Sequence, residues 1–133
     1  MMSKHTLALL QQIAHGIAVH FGNNCEVLVH DLTADYTSSS IVIIEHGNVT
    51  MRKIGDGPSH VVLEALHSDH KTLEDKLSYL TKTKDGRILK SSTMFIRGED
   101  ASIEAVLSIN FDITSMQMAE NVLQQLISPV SAK

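Results

Sequence analysis

The chain has 133 residues, 43% of them apolar and 20% charged, with a formal net charge of −4. This is the balance of one ordinary globular domain, and it excludes a disordered chain. The longest apolar runs are too short to cross a bilayer, no signal-peptide pattern follows Lys4 and His5, and the lone Cys25 cannot form an internal disulfide. A cytoplasmic protein is expected.

From Ser3 to Phe21 the apolar residues Leu7, Leu10, Ile13, Ala14, Ile17 and Phe21 recur at helical spacing, and Gly22 offers a left-handed stop. The segments 25–32 (CEVLVHDL) and 40–47 (SIVIIEHG) read as strands that are apolar on both parities, which predicts a sheet covered on both faces. Pro58 can then open a short helical connector whose apolar side is Val61, Val62, Ala65 and Leu66. Asp85 and Gly86 suit a tight turn between two extended runs, and a last strand is predicted over 102–113. Thr114 with Gln117 has the pattern of a capping box. It opens a closing helix with the stripe Ala119, Val122, Leu123, Leu126 and Ile127, which Pro129 ends. The expected fold is α+β: a five-stranded antiparallel sheet, interrupted by a helical connector, with a helix at each end.

Nucleic-acid affinity arises from lysines and arginines that displace counterions, and the basic residues here are few and scattered. The chain by itself is therefore a poor nucleic-acid binder. The absence of tryptophan and an aromatic content of 4% give little support to a site that clamps a large planar cofactor. His60, Glu64 and His67 line up on the connector helix, but opposite its apolar side, so they read as a solvated face and no metal is assigned. A catalytic set of Ser91 or Ser92 with His30 and Asp31 fails on geometry, because adjacent strand residues point to opposite faces. No nucleophile elbow is present, and an enzyme is not expected. The sequence Asn23-Asn24-Cys25 resembles a flavin-photosensor motif, yet its cysteine opens a strand where that motif needs a helix. Gly55-Asp56-Gly57 lacks the setting of a phosphate-binding loop.

On a strand, Leu89, Ser91, Thr93 and Phe95 share one face, and Lys90, Ser92, Met94 and Ile96 the other. In the last strand, Val106, Ser108, Asn110 and Asp112 oppose Leu107, Ile109, Phe111 and Ile113. Such polar rows fit either ordinary strand hydroxyls bonded to neighbouring backbone or a pocket in which a few polar groups orient a small ligand. If Ser108, Asn110 and Asp112 face a covered side, they need partners, because an unpaired buried polar group costs about 1–3 kcal/mol.

The segments FGNNCEVLVHDL, HGNVTMRKIGD, TKTKDGRILKSSTMFIR and LSINFDIT, in this order and separation, resemble the YheO-like PAS domain of bacterial transcriptional regulators. The match runs from about Ile13 to Thr114. It implies a PAS-like sensor domain over 23–114, an N-terminal amphipathic helix over 1–22, and a connector helix and tail over 115–133. It also implies a helix-turn-helix domain, missing from this chain, through which DNA would be bound. Ligand-facing candidates carried over from the resemblance are His30, Asp31, Ser91, Ser92, Thr93, Asn110 and Asp112. The chain departs from the family pattern at Glu104, where glycine is expected, and at Ser108, where cysteine is expected.

The expected role is the sensor half of a transcription regulator, binding a small polar metabolite or a partner surface. A homodimer is expected to form through one or both terminal helices, whose stripes would otherwise leave large apolar patches in water. The competing reading is a ligand-free interaction and dimerisation module, which a core filled by side chains would favour. A histidine-based metal or haem sensor ranks below both.

Overall fold

The computed structural model describes residues 2–33 and 40–130. In chain order these form α1 (Lys4–Phe21), β1 (Cys25–Asp31), β2 (Ile41–Glu45), a 3₁₀ turn (Gly47–Val49), α2 (His60–Leu66), β3 (Lys76–Lys82), β4 (Ile88–Arg97), β5 (Ile103–Asp112) and α3 (Thr114–Ile127). The five strands make one sheet in the order β2-β1-β5-β4-β3. Every neighbouring pair is antiparallel. The helical excursion after β2 therefore splits the chain in sequence but not the sheet in space.

Helix α1 lies on one face. Its N-cap Ser3 accepts a hydrogen bond from the Thr6 amide, and Gly22, at φ 89°, ends it. The inward line is Leu10, Ala14 and Ala18, flanked by Leu7 and Ile17, and it packs on Cys25, Val27, Val29, Ile43, Ala105 and Leu107. Ile13 and Phe21, expected on the buried stripe, are instead 42% and 56% exposed. The two alanines supply the reason: their small side chains let the helix settle close to the sheet about their own line, which turns the edges of the stripe outward.

The opposite face is covered by α2 and the segment leading to it. Ser59 caps α2 through the Val62 amide, so the helix begins two residues after Pro58. Val62 and Leu66 pack against Phe95 and Val106. Each fully buried aliphatic side chain contributes about 1.5–3 kcal/mol to folding. With both faces covered, β1 is buried from Cys25 to His30, as its apolar residues on both parities predict.

The β3–β4 hairpin turns at Gly86, with φ 90°. Its turn is braced by the Thr83 hydroxyl, which accepts from the Arg87 amide at 2.9 Å. At the same end of the sheet, α3 corrects the capping expectation. Thr114 is the first helical residue, and neither it nor Gln117 forms a capping box. The Thr114 hydroxyl instead donates to Asp112 Oδ1 at 2.6 Å and accepts from the Ile88 amide at 2.9 Å. Asp112 Oδ1 also takes the Thr114 amide at 3.0 Å. The helix start is thus pinned by the strand before it and by β4, which leaves Thr114 unable to reach forward. Beyond its first turn α3 is exposed: Val122, Leu123, Leu126 and Ile127 are 55–75% accessible. No helix among the described residues is long and apolar enough to cross a membrane.

Candidate functional site: a polar cavity on the inner sheet face

Strand pairing decides which polar residues meet. Glu26 sits opposite Asn110, and Leu28 opposite Ser108, across β1 and β5. Ser91 sits opposite Asn110, and Thr93 opposite Ser108, across β4 and β5. All six point toward α2, and the polar members form two rows across the sheet.

The first row is a continuous hydrogen-bond chain. The Thr50 amide and hydroxyl donate to Glu26 Oε2 at 3.0 and 2.7 Å, and Asn110 Nδ2 donates to Glu26 Oε1 at 2.9 Å. The Ser91 hydroxyl donates to Asn110 Oδ1 at 2.8 Å and takes the Thr81 hydroxyl at 2.8 Å. Because the carboxylate can only accept, it fixes which way the Asn110 amide faces. Burial pushes the Glu26 carboxyl up, against the lowering effect of the hydrogen bonds from Thr50 and Asn110 and of the nearby Arg52 charge.

The second row is incomplete. The Thr93 hydroxyl pairs with the Tyr79 hydroxyl at 2.8 Å. Ser108, only 5% exposed, has no partner for its hydroxyl among the described residues. Thr93, Ser108 and Asn110 form the floor of a cavity of about 750 Å³, with Arg52, Ser59 and Val62 on one wall and the β3–β4 hairpin from Tyr79 to Arg87 on the other.

The seven candidate residues therefore divide. Ser91, Thr93 and Asn110 stand together on the cavity face, and Ser91 is a member of the chain of bonds behind the floor. Asp112 shares this face but is committed to α3, with the Arg87 guanidinium 3.8 Å away. His30 also faces α2 and is fully buried, with Nδ1 bonded to the Ser40 hydroxyl at 2.7 Å. Its Nε2 has no partner among the described residues. Burial, then the Arg52 charge, lowers its pKa to about 4, so it is neutral at physiological pH. It does not border the cavity. Asp31 and Ser92 lie on the other face. Burial raises the Asp31 carboxyl, but hydrogen bonds from Thr33 outweigh it and hold the group below the usual range. Ser92 accepts from the Ser78 amide at 2.9 Å and edges a small hollow of about 160 Å³ beside Phe21 and Phe111.

Ser108, Tyr79, Thr50, Thr81, Glu26 and Arg52 were not among the seven candidates. Glu26 is a single carboxylate in an apolar run, yet it shares parity with Leu28 and His30, which marks it as inward once the strand is recognised. Arg52 lies in a loop, where no periodicity points to it. At the start of α2, His60 borders the cavity, and its Nε2 pairs with Glu64 at 2.8 Å, both side chains being well exposed. Cys25 faces α1, away from the cavity.

A 2-1-5-4-3 antiparallel sheet, with a helical connector forming a cavity over one face, is the PAS architecture. The chain belongs to the YheO-like PAS domain family, whose model matches residues 1–128. It is 30% identical over 105 residues to YheO of Escherichia coli K12, covering 77% of this chain and 42% of that protein. It is 29% identical over 122 residues to the transcriptional regulator DauR of Pseudomonas aeruginosa, covering 88% of this chain and 52% of DauR. The chain thus spans about half the length, or less, of these relatives. Among solved structures, an RNA-binding light-oxygen-voltage receptor superposes with a TM-score of 0.51 at 17% identity, over 90% of this chain and 37% of that one. That likeness concerns the fold. The blue-light photoreceptor Aureochrome1 LOV matches with a TM-score of 0.48 at 14% identity, over 96% of each chain.

Proposed function

We propose that this domain is the cytoplasmic sensor of a transcriptional regulator, and that it binds a small polar metabolite in the cavity above Ser108. The observation that carries the reading is the unpaired Ser108 hydroxyl on the floor of a roomy cavity. Leaving it buried without a partner costs about 1–3 kcal/mol, and a ligand would recover that cost. The relationship to DauR supports a regulatory role. DNA contact is assigned to a helix-turn-helix domain outside this chain, and no catalysis is assigned to the domain itself.

A ligand that binds one arrangement of connector and sheet better than another shifts the balance between them. The route outward runs through Arg87, which lines the cavity and approaches Asp112, the residue that holds the start of α3. The bare apolar stripe of α3 also supports a homodimer formed through that helix.

Native mass spectrometry of the purified chain tests both parts. The expected result is a dimer that retains, or takes up from a metabolite panel, one small molecule per protomer. A monomer that retains nothing and takes up no panel member overturns the reading.

A further inference from the structure

The cavity has a charge opposite to that of the chain that carries it. Around it stand four cations, Arg52, Lys82, Lys84 and Arg87, and a single carboxylate, Asp85. That carboxylate is already engaged, since Arg87 Nε reaches its two oxygens at 3.2 and 3.3 Å. The protein as a whole has a net charge of −4, so a basic cavity does not follow from composition.

The floor adds donors. Ser108 has a hydroxyl proton with no acceptor among the described residues. In the Tyr79–Thr93 pair only one hydroxyl donates to the other, so the second proton remains available. The acceptor that could have competed is Glu26, and it is occupied on the far side of Asn110 by Thr50 and by the Asn110 amide itself. Open hydroxyls below, with Arg52, Lys82 and Lys84 at the rim in no ion pair among the described residues, suit an oxyanion, whose oxygens accept from several donors at once. A cationic ligand would instead meet like charge at the rim.

We propose that the cavity recognises a small organic anion, its carboxylate or phosphate group held between Arg52 and the lysines of the β3–β4 turn and its body lying over the Ser108 hydroxyl. This rests on the sensor reading above but makes a narrower claim, the charge class of the ligand.

The test is a titration of the ¹⁵N-labelled chain at low salt, followed through the amides of Arg52, Lys84 and Ser108. The probes are inorganic phosphate and two matched pairs, succinate with succinamide and glycerol 3-phosphate with glycerol. Inorganic phosphate and at least one acid are expected to shift these amides saturably, and the neutral partners to leave them still. The two acids separate a carboxylate preference from a phosphate preference. Arg52→Gln and Lys84→Gln should each weaken the acid about tenfold, the scale of one charge-assisted hydrogen bond. Lys84, exposed in the hairpin turn, keeps the test valid if the Arg52 variant folds poorly. Neutral partners that bind as well as the acids, or variants that bind the acid unchanged, overturn the anion claim and leave the cavity reading intact. If neither inorganic phosphate nor any acid moves the three amides, the anion claim falls. If the chain also retains no small molecule in native mass spectrometry, the cavity reading falls with it.

Discussion

Asn110 Nδ2 donates to Glu26 Oε1 at 2.9 Å across 84 positions of sequence, a side-chain bond laid over the backbone ladder that pairs β1 with β5. Glu26 is fully buried, and Thr50 satisfies its other oxygen. The pair explains how a carboxylate survives in an apolar interior: each oxygen has a donor, and an arginine stands nearby.

Substitutions at Glu26 separate charge from hydrogen bonding. In Glu26→Gln the new amide can keep its oxygen toward Thr50 if Asn110 turns over, because Ser91 and Thr81 are hydroxyls that can reverse direction. Stability at neutral pH is expected to stay within about 1 kcal/mol of the parent. Glu26→Ala strands the Thr50 and Asn110 donors and leaves a void, at an expected cost of about 2–4 kcal/mol. Urea denaturation at pH 7 measures both.

His30 should make the fold sensitive to acid. Its folded pKa of about 4 lies below the ordinary 6.5. The unfolded chain therefore takes up a proton first, and stability falls as pH drops from 6.5 toward 4, by at most about 3 kcal/mol. Glu26, shifted upward, acts in the opposite sense above its ordinary value, so the measurement is the difference in slope between the parent and His30→Leu. Equal slopes over pH 4–6.5 would refute the assignment.

Two glycines should respond in opposite ways to alanine. A Cβ on Gly47 would lie 2.6 Å from the Arg52 carbonyl oxygen and 2.9 Å from Ile44. Gly47→Ala must therefore displace the loop that carries Thr50 and Arg52, and is expected to cost about 1–3 kcal/mol. At Gly98 the nearest obstacle is the flexible Glu104 side chain, so Gly98→Ala should be nearly silent. Thermal melts of the two variants make the comparison.

The dimer proposal predicts that Leu123→Asp and Leu126→Asp each yield monomers in sedimentation. Both residues are more than half exposed in the single chain, so the melting temperature of the monomer should not fall. Loss of folding instead would place these residues against their own domain.

Asp112→Ala removes the acceptor for both the Thr114 amide and its hydroxyl. The expected cost is about 1 kcal/mol, the worth of a helix cap, concentrated at the start of α3. Faster amide exchange over residues 114–118, with the sheet unchanged, would confirm it.

Local signals carried most of the fold. Gly22, the Asp85-Gly86 turn and the apolar residues on both parities of β1 each fix an element through a few adjacent residues, and the structure has all three where expected. That Ser91 shares a face with Thr93, and Ser108 with Asn110, each within its own strand, was also legible, because strand parity needs no partner; that the two faces are one came from the register. What lay beyond the sequence was juxtaposition. Glu26 meets Asn110 only because β5 inserts between β1 and β4, and strand order has no local signature. Ser92 is the converse case, a hydroxyl beside Ser91 in sequence that parity sends to the other face. Ala18 went unseen because alanine barely registers in an apolar stripe, although it lets α1 sit close. Thr114 was misread on two counts: Asp112, only two residues before it, was overlooked as a local acceptor, and the Ile88 amide comes from a strand 26 residues away.

Among the described residues helix α3 meets the body of the protein near Thr114, and the 14-residue helix that begins at that grip extends for about 21 Å. Such an arrangement works as a lever with its fulcrum at one hydroxyl. A tilt of a few degrees at the Asp112–Thr114–Ile88 junction moves the far tip by an ångström or more.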